Sequence, residues 1–95
     1  ESSIQTFKSI ILLRTELEHK IISLGKKQAL AKSFLQYLYS KPITDAADVA
    51  EALNINISTT MRLISDFIKL NILIEVTGFK RNRIFAFDDY LKLFR

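Results

Sequence analysis

NINISTTMRLISDFIKLNILIEVTGFKRNRIFAF, residues 54–87, is the stretch whose reading decides the fold. Asn56 is a good N-cap for a helix over about Ile57–Leu70. Thr60, Leu63, Ile64, Phe67 and Ile68 are spaced three and four apart, so they are expected on the helix's inner face. Asn71 tolerates the left-handed conformation that closes a helix. The chemistry then changes. Ile72–Val76 is rich in β-branched residues, 77–83 is a polar connection containing Gly78, and Ile84–Phe87 is a second run of strand formers. An isolated hairpin is marginal in water, so this one is expected to lie on the helices and bury Ile72, Ile74, Phe85 and Phe87.

Working outward towards the N-terminus, Asn54-Ile55-Asn56 is short enough to join two helices sharply. The helix before it is expected to start at Thr44 as N-cap and end at Leu53, with Asp45 and Asp48 favoured in its first turn by the macrodipole. Lys41-Pro42 stops a preceding helix over about 26–40, which turns Leu30, Phe34, Tyr37 and Leu38 inward. Ile4–Leu24 reads as one long amphipathic helix ending near Gly25. After Phe87, Asp88 is expected to cap a short final helix. The fold class is therefore mainly α with a small β-hairpin: a winged helix-turn-helix domain over 26–95, preceded by a long amphipathic helix over 1–25.

The chain has 95 residues, enough for one modest core. Its net charge of +4 is unevenly spread. Residues 42–61 carry Asp45, Asp48 and Glu51 and no base, whereas both flanks are basic. There is no cysteine, which removes disulfides and thiolate metal sites and fits a cytoplasmic setting. No apolar run approaches the ~20 residues that span a bilayer, so no membrane partner is expected. The start at Glu1 without methionine suggests a segment of a longer protein.

Contact residues follow from the helix-turn-helix. If it reads DNA, its second helix enters the major groove and presents Ser58, Thr59, Arg62 and Lys69. Arginine forks onto guanine, and hydroxyls bond to phosphate. Lys80, Arg81 and Arg83 on the wing then reach the backbone. A solvated turn and an ordinary helix surface explain the same residues. Asp66, expected on the reading face, and the acids of the preceding helix would repel a polyanion. A protein partner is therefore the first reading and double-stranded DNA the alternative.

The first helix needs cover for its apolar stripe, which comes from its own module, a second copy or a neighbouring domain. A homodimer through Phe7, Ile10, Leu17 and Ile21 is the favoured expectation. Catalysis is not expected. His19 is the only histidine, Gly25 and Gly78 are isolated, and no serine or threonine has a base at a suggestive spacing.

The stretch from Leu70 to Leu91 resembles the carboxy-terminal winged helix of Fic-family proteins. The resemblance is carried by Thr77-Gly78, then Arg81-Asn82-Arg83, the aromatic strand residues Phe85 and Phe87, and Tyr90-Leu91. Thr59–Ile64 and Ile22–Gly25 fit the same pattern. Asn54 and Asn71 stand at turns where relatives often have glycine. The resemblance implies a regulatory or recognition module appended to an upstream catalytic domain. That domain would transfer an adenylyl group from ATP, with Mg, to a hydroxyl of a target protein. The catalytic signature of such domains, His-Pro-Phe-x-x-Gly-Asn-Gly-Arg, has no counterpart here, since His19 precedes Lys20 and Pro42 follows Lys41. No catalytic residue, metal site or cofactor is implied for this segment.

Overall fold

In the computed structural model, which describes residues 3–77 and 83–94, five helices surround a three-stranded sheet. They are α1 (Ser3–Ile22), α2 (Gln28–Ser40), α3 (Ala46–Leu53), α4 (Ile57–Lys69) and α5 (Asp88–Lys92), with a 3-10 turn over Gly25–Lys27. The strands are β1 (Ile43–Asp45), β2 (Ile74–Glu75) and β3 (Ile84–Ala86), in the antiparallel order β1-β3-β2.

The two sharp reversals follow from asparagine. Asn54 (φ 56°) and Asn71 (φ 61°) are left-handed. The Ile55 amide donates to the Ala50 carbonyl at 3.0 Å, and the Ile72 amide donates to that of Phe67 at 2.8 Å. These bonds across five residues, with the Asn54→Glu51 and Asn71→Ile68 bonds across three, make both helix ends Schellman motifs. Gly25, at φ 60°, supplies the left-handed joint between α1 and α2.

The expected cap at Thr44 is corrected. Asp45 caps α3, its Oδ1 accepting from the Asp48 amide at 2.8 Å. Thr44 is instead a buried strand residue whose hydroxyl meets that of Tyr37 at 2.8 Å. The hairpin thus gains a third strand: Ile43, Thr44 and Asp45 face Ala86, Phe85 and Ile84. The Phe87 amide extends the pairing to the Pro42 carbonyl at 2.7 Å.

One core joins all the helices but the shortest, α5, which rests against it through Tyr90. Phe34 of α2 and Phe67 of α4 are in ring contact at 4.5 Å. Leu17 and Ile21 of α1, Leu38, Val49, Leu63, Ile64, Ile72, Leu73, Phe85 and Phe87 complete it. The expected boundary at Gly25 therefore divides elements that share this core. Arg14 also lies over the Tyr39 ring, 5.0 Å from its centroid, tying α1 to α2.

Two expected core positions are corrected. Ile68 is exposed, and Ile74 is 44% exposed, while Leu73 takes the buried place beside Ile72. Directly paired strand residues share a face, so Ile43, Ala86 and Ile74 lie together with Ile84 on the side opposite Phe85. That outer side is mostly apolar, with Asp45 opposite Ile84 as its charged member, unlike the usual polar solvent face of an antiparallel sheet.

Candidate functional site

The site is built on α4. Asn56 starts the helix, its side-chain oxygen accepting from the Thr59 amide at 2.7 Å. Thr60 anchors the first turn from within, its hydroxyl donating to the Asn56 carbonyl at 2.9 Å. Thr60, Leu63, Ile64 and Phe67 face the core. Ser58, Arg62, Ser65 and Lys69 then fall on one exposed stripe, spaced four, three and four apart. The structure thus brings three of the four expected α4 residues into line, while Thr59 is half-buried to one side.

Beside that stripe runs a second, apolar one: Ile57, Met61 and Ile68, with Ile57 52% exposed. It borders the sheet and forms one wall of a groove. A hollow of about 290 Å³ is lined by Asp45, Ala46, Ala47, Ile57, Met61, Arg83 and Phe85. A second of about 300 Å³ is lined by Met61, Ile64, Ser65, Ile68, Lys69 and Arg83. Met61 and Arg83 belong to both, so the hollows are consecutive parts of one trough. The sequence does not separate this apolar stripe from the core face beside it. The signal was present in Ile57, Met61, Ile64 and Ile68, which widen the apolar arc of α4 beyond a single seam.

Arg83 is held in place. Its Nη1 lies 3.5 Å from Glu75 Oε1 across the hairpin, and its guanidinium sits 5.5 Å from the Phe85 ring centroid. Lys80 and Arg81 lie outside the described residues.

Three of the four acids expected to repel a polyanion are engaged, and Glu51 stands exposed on α3. Asp66 is not on the outward stripe; its Oδ2 is 3.0 Å from Lys27 Nζ, and its side chain is largely covered. Asp48 pairs with Lys41, and the hydrogen bond holds the Lys41 ammonium above the usual lysine range. Asp45 is occupied as the α3 cap.

The four residues expected to pair two copies divide. Leu17 and Ile21 are fully buried in the chain's own core, because the second half of α1 packs on α2, so they offer nothing to a second copy. Phe7 is 63% exposed and Ile10 is half-buried. Among the described residues, the uncovered apolar side chains of α1 are therefore Phe7, Ile11 and Leu12 in its first half and Ile22 at its end.

Among the described residues there is no group of three His, Cys, Asp or Glu side chains able to hold a metal, and His19 is exposed. No helix among them is long and apolar enough to cross a membrane. The chain matches no protein-family model, no curated protein and no solved structure.

Proposed function

We propose that this chain is a non-catalytic winged-helix module that recognises another protein on behalf of a Fic-type adenylyltransferase domain in the same cytoplasmic polypeptide. The observation that supports a protein partner is the apolar border of α4. Ile57, Met61 and Ile68 stand in or near solvent beside Phe85 of the trough. A surface of this kind gains free energy against other apolar groups and gains little against phosphates. The parentage rests on the Thr77-Gly78 and Arg81-Asn82-Arg83 resemblance. ATP and Mg belong to the catalytic domain, and in this reading the module selects or presents the target.

A nucleic-acid reading is favoured by one different observation. The stripe Ser58-Arg62-Ser65-Lys69 carries two bases and no acid, and Asp66 is neutralised beside Lys27. Duplex DNA titrated at two salt concentrations separates the readings. Phosphate contacts release counterions, so affinity through Arg62, Lys69 and Arg83 would fall steeply with salt. The protein-directed reading expects no such binding even at low salt. A steep salt slope that flattens in Arg62→Ala would replace it with the nucleic-acid reading.

A further inference from the structure

We propose that the trough between α4 and the sheet receives a short segment of another protein, in which two aliphatic side chains are followed by a carboxylate. The aliphatic groups lie over Ile57 and Met61, and the carboxylate sits between Arg83 and Lys69. The inference rests on the protein-directed reading above and names the chemistry of its partner.

The trough's two ends differ in charge. Among the described residues, the Ile57 end holds one acid, Asp45, whose Oδ1 already accepts from the Asp48 amide, and it shares Arg83 with the other end, so its charges balance. The other end holds two cations, Lys69 and Arg83. Lys69 has no ion-pair partner among the described residues. Arg83 gives Nη1 to Glu75, and a guanidinium carries five N–H donors, so further donors remain for a second carboxylate. Met61 is the apolar residue common to both hollows, and Phe85 lies under the Ile57 end.

This polarity selects the occupant. A phosphodiester backbone would satisfy the cations but would lay charged oxygens along Met61 and Ile57, where desolvation is uncompensated. A wholly apolar segment would cover Ile57 and leave Lys69 and Arg83 facing it. An aliphatic pair with one carboxylate matches both halves. The hollows lie at the lower end of the roughly 300–1,000 Å³ of small-molecule sites, which suits side chains better than a cofactor.

The probe is a displayed library of random short peptides, selected on the immobilised chain. Recovered peptides are then measured against the wild type, Ile57→Glu and Lys69→Gln. Each is also remade with its carboxylate changed to the amide. Ile57 is the first residue of α4, where an acid suits the helix dipole, so Ile57→Glu retains the fold; its thermal melt verifies this. Recovered peptides are expected to share an aliphatic pair and an Asp or Glu. Affinity is expected to fall about ten-fold or more in Lys69→Gln and in the amide peptides, as for loss of a charge-assisted hydrogen bond, and to be lost in Ile57→Glu.

Peptides that bind Ile57→Glu as well as the wild type, or that ignore the amide change, overturn the trough assignment while leaving a protein-binding role standing. Recovery of no such peptides also overturns it. If, in addition, a duplex binds with a steep salt slope, the protein-directed reading falls with it.

Discussion

At Asn71 the backbone turns left-handed, and two amides beyond α4 find their acceptors only because it does so. A residue with a Cβ and no local hydrogen-bonding side chain is strained there by about 1–2 kcal/mol. Asn71→Ala is therefore expected to destabilise the fold by about 1 kcal/mol and Asn71→Gly to keep or slightly raise its stability. In a domain of this size about 1 kcal/mol moves the thermal midpoint by roughly 4–8 °C, so two melting curves decide the point. Tyr39 supplies a second test. Its hydroxyl is buried without a hydrogen-bond partner among the described residues. Burial pushes its pKa above the ordinary tyrosine value, against the opposing pull of Arg14. The unfolded phenol ionises near its ordinary value of about 10, so above that pH the folded state holds the extra proton. The associated stability is complete below about pH 10 and is lost as pH rises through the higher folded value. The urea midpoint of the wild type is expected to fall in that window more than that of Tyr39→Phe. At neutral pH the Phe variant should be as stable or slightly more so, since it removes an unsatisfied hydroxyl.

The helix pair α3–α4 was legible in the sequence because single residues mark its ends: Asn54 and Asn71 close helices, and Asn56 opens one. β1 was not. Three residues give no periodicity, and Ile43–Asp45 becomes a strand only by pairing with Ile84–Ala86 far along the chain. Ile68 and Ile74 are exposed, and residue type alone does not tell which side of an apolar segment is covered. For the same reason the trough was legible only in part: its cations stood out, and its apolar wall passed for core. In α1 the periodicity was plain and its cover was not. Leu17 and Ile21 are packed, whereas Phe7 and Leu12 are bare. Leu17→Ala should cost about 2–5 kcal/mol, as expected of a fully packed leucine. Amide-exchange protection along α1 is expected to decline from Ile21 towards its N-terminal turns, which have fewer buried contacts. Uniform protection would mean that a partner covers the exposed half.

For the whole molecule, the exposed apolar side chains among the described residues gather mainly at the start of α1, the outer side of the sheet and the α4 face, with Ile22 and Phe94 outside these groups. If α1 pairs two copies, it does so through Phe7, Ile11 and Leu12. Phe7→Asp should then lower the mass seen by light scattering without altering the melt, and an unchanged mass excludes that contact. Charge is less concentrated than the basic flanks suggested, because Lys27, Lys41 and Arg83 each face a carboxylate. The aromatic corner where α1, α2 and α5 meet bears on how this molecule is watched. The chain has three tyrosines and no tryptophan. Two of those rings, Tyr39 and Tyr90, stand edge to face at 5.1 Å beside Phe87, with Arg14 over Tyr39. Near-ultraviolet dichroism therefore has no indole band to contend with and reports chiefly on that corner. Events confined to the opposite groove leave the spectrum almost unchanged, and following them by light calls for a chromophore introduced on α4.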